Sequence, residues 1–112
     1  GKSMKVKELI KISVNYINNN FERDITIGDI AKYVFLSPSY FTRAFKEVMG
    51  ISPISYLLNV KIERSKELLA NESLKISDIA FSVGFSNQQR FNEIFKKYTK
   101  MTPLKYRKSL KS

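Results

Sequence analysis

KISDIAFSVGFSNQQRFNEIFKKYTKMTPLKY, residues 75–106, is the stretch whose reading decides the fold. Ile76 to Val83 is a short, mostly apolar segment of helical length, and Gly84-Phe85-Ser86 interrupts it. Phe91, Ile94, Phe95 and Tyr98 then mark the inner stripe of a longer helix, Asn87 to Tyr98, whose first residues are polar and basic. A short helix, a glycine-containing turn and a longer helix make a helix-turn-helix, a device that places the start of its second helix in a DNA major groove. Thr102-Pro103 follows as the N-cap and first position of a last short helix holding Leu104, Tyr106 and Arg107.

The rest of the chain reads as helices too. Val6, Leu9, Ile10, Ser13, Tyr16 and Ile17 fall at i, i+3, i+4 spacing over Lys5 to Asn18, and the run Asn18-Asn19-Asn20 stops that helix. Thr26-Ile27-Gly28-Asp29 resembles a capping box opening a short helix to Val34. Ser37-Pro38 opens the next, with Phe41, Ala44, Phe45, Val48 and Met49 expected inward and Gly50 as its C-terminal cap. From Ser52-Pro53 an inner stripe of Ile54, Leu57, Leu58, Lys61 (stem only), Ile62, Ser65, Leu68 and Leu69 runs to Ala70. About 17 residues at ~1.5 Å each make a rod of roughly 26 Å. No segment alternates with period two, so the expected fold is all-α, with seven helices in a single DNA-binding unit. Residues 5–50 form a first helix-turn-helix subdomain, 53–70 a long connector helix, and 75–109 a second helix-turn-helix subdomain.

The two subdomains share letters. With Ile27 set against Ile76, Asp29, Ile30, Ala31, Val34 and Ser37 match Asp78, Ile79, Ala80, Val83 and Ser86. After one extra residue in the second copy, Phe41, Phe45, Lys46, Pro53 and Tyr56 match Phe91, Phe95, Lys96, Pro103 and Tyr106. The matches are mostly apolar or capping positions, while Ser39, Tyr40, Thr42 and Arg43 face Gln88, Gln89, Arg90, Asn92 and Glu93 in the variable part. A constant frame under changed outward residues suits two readers of different base sequences, and it suits drifted structural repeats as well. Two exchanges touch the frame. Gly84 is matched by Phe35, so the first turn either avoids positive φ or holds Phe35 there at ~1–2 kcal/mol. Gly50 is matched by Lys100, so the second reading helix is expected to end less cleanly.

Composition bounds the chemistry. The 112 residues carry 20 Lys and Arg against 10 Asp and Glu, a net charge of +10, which favours a polyanionic partner. Arg90 to Ser112 holds eight cations and one acid; Arg90 to Arg107 reads as polyanion contact, and Lys108 to Ser112 as a solvated cationic tail. The absence of Cys and His excludes disulfides, thiolate nucleophiles, histidine bases and ordinary zinc sites. Asp29 and Asp78 occupy equivalent capping positions, so they read as structural and not as a catalytic pair. No catalytic residue, metal or cofactor is expected. No apolar run approaches the ~18 residues of a membrane span, no signal peptide is visible, and the lack of Cys fits a reducing cytoplasm.

Ile76-x-Asp-Ile-Ala-x-x-Val-Gly-Phe-Ser86, Phe91-x-x-x-Phe-Lys-Lys97 and Met101-Thr-Pro-x-x-Tyr-Arg107 together resemble the signature of the AraC/XylS family of transcription regulators. Leu36-Ser-Pro-Ser-Tyr-Phe-Thr-Arg-Ala-Phe-Lys46, with Gly50-x-Ser-Pro53, is similar to that family's first helix-turn-helix. The resemblance covers about Lys5 to Arg107. It implies two helix-turn-helix subdomains joined by a long helix, with both reading helices in successive major grooves of double-stranded DNA. It implies a partner in RNA polymerase, and an N-terminal sensing or dimerisation domain beyond this chain. Because the connector is shorter than the ~34 Å of one DNA turn, double engagement would bend the DNA or strain the second contact.

By the same resemblance the base-facing positions are Ser39, Thr42 and Arg43, then Gln88, Gln89 and Glu93; from their places beside these, Tyr40, Lys46, Arg90, Asn92, Lys96 and Lys97 are expected to contact the phosphate backbone. Arg43 can donate twice to guanine, or pair with Glu47 one turn on. Ser39 and Thr42 suit phosphate or a thymine methyl, and Tyr40 suits phosphate or packing against its own subdomain. Gln88 can pair with adenine. Gln89 can do so too, or close a capping box from Ser86. Glu93 stands where the family often has a base; it can accept from cytosine N4 or pair with Lys96 or Lys97. The competing reading of the charge is a binder of any polyanion, RNA or an anionic membrane included.

Overall fold

The structure is a computed structural model describing residues 2–111, with side chains from residue 5 onward. Those residues form seven α-helices and no strand: α1 (Lys2–Asn20), α2 (Ile27–Tyr33), α3 (Pro38–Met49), α4 (Pro53–Leu69), α5 (Ile76–Ser82), α6 (Gln88–Thr99) and α7 (Pro103–Ser109). The chain divides into two compact units, Gly1–Phe21 with Ile25–Leu57, and Glu22–Asp24 with Leu58–Ser112. α4 contributes its first residues to one unit and the remainder to the other.

The helix starts are written in capping chemistry. Thr26 and Asp29 form the reciprocal box, Thr26 N donating to Asp29 Oδ2 at 2.9 Å and Asp29 N to Thr26 Oγ1 at 3.0 Å. Ser37, Ser52 and Thr102 each accept from the backbone amide three residues on, ahead of Pro38, Pro53 and Pro103. Such an oxygen satisfies an amide that has no partner inside the helix, and its loss costs ~1 kcal/mol. Asp78 differs from Asp29. The N-cap of α5 is Lys75, which offers no side-chain acceptor, so no box forms there.

In the first unit Ile10, Ile17, Ile30, Ala31, Val34, Phe41, Phe45 and Leu57 are buried, and Phe41, Phe45 and Tyr56 stand edge-on at 5.6 and 5.8 Å. The second unit repeats the arrangement. Ile62, Leu69, Ile79, Ala80, Val83, Phe85, Phe91, Ile94 and Phe95 form its core, with Phe91, Phe95 and Tyr106 edge-on at 5.6 and 5.5 Å. Each such ring pair adds ~0.5–1.5 kcal/mol beyond its burial. The repeat also reaches further upstream than the matched letters. Ile10, Ser13 and Ile17 correspond to Ile62, Ser65 and Leu69, and each buried serine donates to the carbonyl three residues back, Ser13 to Ile10 at 2.6 Å and Ser65 to Ile62 at 2.7 Å.

Several inward expectations fail at the ends of stripes. Val48, Met49 and Ile54 are exposed, because helical periodicity continues past the last neighbour that covers it. Leu104, the second residue of α7, is half exposed as well. Of the expected cationic tail, Lys108 and Ser109 lie inside α7, Leu110 is its C-cap, and Lys111 pairs with Glu72 at 2.7 Å.

Candidate nucleic-acid interface

Both reading helices are held by the same device. α2 and α5 end at Val34 and Val83, and the chain then turns through a left-handed residue, Phe35 at φ 61° or Gly84 at φ 91°. Leu36 N returns to Ala31 O and Phe85 N to Ala80 O, each at 3.0 Å. The two turns match residue for residue up to this point. Ser37 then caps α3, accepting from Tyr40 N at 3.3 Å, while Asn87 caps α6, accepting from Arg90 N at 2.7 Å. The extra residue of the second motif is therefore Ser86, and the capping task passes from a serine to an asparagine.

That assignment corrects the reading of Gln89. With Asn87 at the N-cap, Gln89 is the second residue of α6 and closes no box; its amide donates to Glu93 Oε1 at 3.5 Å instead. Glu93 makes no ion pair with Lys96 or Lys97 among the described residues. Gln88, Gln89, Arg90, Glu93, Lys96 and Lys97 are all exposed, opposite the buried Phe91, Ile94 and Phe95. Lys97 Nζ lies 5.9 Å from the Tyr98 ring centre. Asn92 is half-buried, and its Oδ1 is buried without a hydrogen-bond partner among the described residues. A phosphate contact by Asn92 would therefore have to come from its Nδ2 donor and not from this oxygen.

α3 shows the same division. Phe41, Ala44 and Phe45 are buried; Ser39, Arg43 and Lys46 are exposed, and Thr42 is half-buried. Arg43 does not pair with Glu47. Its guanidinium lies 5.8 Å over the Tyr40 ring, an attraction of ~0.5–1 kcal/mol at an exposed site. Tyr40 itself is 41% exposed and borders a surface groove of this unit together with Val6, Lys7, Arg43, Ala44, Glu47 and Val48.

The cations split into two kinds. Arg43, Lys46, Arg90, Lys96 and Lys97 are exposed and join no ion pair among the described residues. Arg107, expected among the polyanion contacts, is committed to the fold: its Nε donates to Leu69 O at 2.9 Å, and one terminal nitrogen donates to Asn71 O at 3.1 Å and Leu74 O at 2.8 Å. Lys61, expected to bury only its stem, is 5% exposed, and its ammonium donates to Arg23 O, Val83 O and Gly84 O at 3.2 to 3.3 Å. Burial pushes its pKa down, while the Asp24 carboxylate acts the other way. Its place on the inner stripe of α4 was the one sequence signal of this role.

The arrangement offers hydrogen bonding and charge. No group of three or more His, Cys, Asp or Glu side chains that could hold a metal occurs among the described residues, and no described helix is long and apolar enough to cross a membrane.

A family profile described as "Helix-turn-helix domain" matches residues 30–109. The lactose operon transcription activator of Staphylococcus xylosus is 34% identical over 102 residues, covering 91% of this chain and 37% of that protein. The bifunctional transcriptional activator/DNA repair enzyme AdaA of Bacillus subtilis is 32% identical over 111 residues, covering 99% of this chain and 53% of that protein. Among solved structures, the C-terminal domain of the response regulator AraT from Geobacillus stearothermophilus superposes with a TM-score of 0.87 at 33% identity, covering 90% of this chain and 84% of that one. The chain thus spans well under two thirds of the curated relatives it matches. Two capped reading helices on a repeated aromatic frame, matched over most of the chain by this profile, place the protein in the AraC/XylS family of helix-turn-helix regulators, as a DNA-binding domain.

Proposed function

We propose that the domain binds double-stranded DNA sequence-specifically, the starts of α3 and α6 entering successive major grooves. The observation that supports this reading most is the same on both helices. A buried Phe pair fixes one face, and the opposite face carries polar and cationic side chains with no ion pairs among the described residues. Ser39, Thr42 and Arg43 are the base-facing set of the first motif; Gln88, Gln89 and Glu93 are that of the second. Tyr40, Lys46, Arg90, Asn92, Lys96 and Lys97 face the backbone, where contacts give affinity and register without sequence choice. The relatives' greater length supports a further domain in the full protein, read here as an N-terminal sensing or dimerisation domain, and their names as transcription activators support a role in transcription, read here as work with RNA polymerase in the cytoplasm. The domain itself carries no catalytic step in this reading.

Selection of bound duplexes from a random pool, at one stated salt, tests the reading. Arg43→Ala is expected to relax preference at one base pair by ~1–3 kcal/mol. Lys97→Ala is expected to weaken all duplexes alike and reduce the salt slope by about one. Equal losses on selected and random DNA from both variants would sink sequence reading by Arg43. Bulk RNA competing as well as the selected duplex would favour a general polyanion binder.

A further inference from the structure

Among the described residues Lys61 is the only charged side chain in the buried set. Its three ammonium donors meet three backbone carbonyls, two of them Val83 and Gly84, in the turn that delivers α6. The same nitrogen lies 5.7 Å from the ring centre of Phe85, the next residue of that turn. Carbonyls at the end of a helix have no partner within it, and the side chain that supplies one also sets where the chain goes next. The first unit has no counterpart. In the correspondence of Ile10 with Ile62 and Ser13 with Ser65, Lys61 falls on Leu9, which has no donor. A leucine packs a helix stripe at lower desolvation cost than an ammonium does, so stability is a weak reason for a lysine here.

We infer that Lys61 is a positioning residue for the second reading helix. It holds the Val83 and Gly84 carbonyls and so fixes the direction in which the turn presents Gln88 and Gln89. The inference rests on the proposal that α6 reads bases. Small displacements matter at such a contact, because a two-point hydrogen bond to a base edge is lost when its geometry is relaxed.

The test is selection from a random duplex pool by the wild-type domain and by Lys61→Met, Lys61→Gln, Lys61→Arg, Arg43→Ala and Gln88→Ala, with thermal unfolding of each followed by circular dichroism. Arg43→Ala and Gln88→Ala assign the two blocks of preferred sequence to α3 and α6. Lys61→Met and Lys61→Gln are expected to keep the first block and lose preference in the second, roughly tenfold at its best base. Lys61→Arg, whose guanidinium can donate to the same carbonyls, is expected to restore it. The inference is overturned by a folded Lys61→Met with an unchanged second block, by equal weakening of both blocks, or by failure of arginine to rescue. Loss of folding in both Lys61→Met and Lys61→Gln also overturns it, since Lys61 would then serve stability. If Gln88→Ala leaves every block unchanged, it is the reading of α6 that fails.

Discussion

Gln89 and Glu93 hold one another on the outer face of α6, the amide donating to Oε1 at 3.5 Å, so the second reading surface carries its own acid among cations. If α6 faces DNA as proposed, a carboxylate there repels phosphate and lowers affinity for any duplex. Replacing it tests whether it lies within the field of the DNA. Glu93→Lys is expected to tighten binding to selected and random duplexes alike and to steepen the salt dependence by about one unit of slope. Binding isotherms on both duplexes across a salt series check this, and an unchanged slope would place Glu93 away from the backbone.

The left-handed positions carry a second asymmetry. Each motif has a glycine at one of them and a bulky residue at the other: Phe35 and Gly50 in the first, Gly84 and Lys100 in the second. Contrary to expectation α6 ends as cleanly as α3, Lys100 N reaching Lys96 O at 2.8 Å as Gly50 N reaches Lys46 O. The difference lies in conformational cost, ~1–2 kcal/mol for a residue with a Cβ. Phe35 is 92% exposed, so little packing is lost with its ring. Phe35→Gly and Lys100→Gly are each expected to raise stability by roughly 0.5–1 kcal/mol, the relief being partly offset by the greater freedom of glycine in the unfolded chain. Urea unfolding midpoints with unchanged slopes measure it.

Lys61 gives the domain a pH dependence of definite sign. Its folded pKa lies below the ordinary lysine value of 10.5, mainly through burial. Between those two values the unfolded chain holds more protons, so the group's contribution to stability rises with pH across that window and is flat well below it. Lys61→Arg removes the titration while keeping a donor, because arginine stays charged throughout. The unfolding free energy of the wild type relative to Lys61→Arg is expected to climb as pH approaches 10.5. A constant difference would mean that the buried ammonium is as well solvated as in the unfolded chain.

What was legible in the sequence follows from how local each signal is. Ser37-Pro38, Ser52-Pro53 and Thr102-Pro103 write helix starts in adjacent letters, and Phe41 with Phe45 writes a buried stripe within one turn; all of these stand in the structure. Ser86-Asn87 offered two capping oxygens in a row, and the choice between them depends on how the turn from Val83 packs, which no local pattern states. The cations at Lys61 and Arg107 are the clearest case. A sequence shows a positive side chain but not the carbonyls that folding brings to it, so from sequence both read as solvent- or polyanion-facing groups.

Arg107 is the residue whose two readings part most cleanly. Its guanidinium gathers Leu69, Asn71 and Leu74 carbonyls and closes the 71–74 loop between α4 and α5, where Asn71 Oδ1 also accepts from Ser73 N at 3.1 Å. Two separate nitrogens of the planar fork serve these carbonyls, and the single nitrogen of a lysine cannot stand in both places. Arg107→Lys keeps the charge and loses the fork. Its expected cost is ~1–3 kcal/mol of stability, with several carbonyls left short of a donor. A phosphate contact would behave in the opposite way: Arg107→Ala would lower the salt slope of DNA binding by about one, and Arg107→Lys would leave stability intact. Unfolding in urea, run beside a salt series on one duplex, separates the outcomes. An intact midpoint for Arg107→Lys together with a reduced slope for Arg107→Ala would return Arg107 to the DNA.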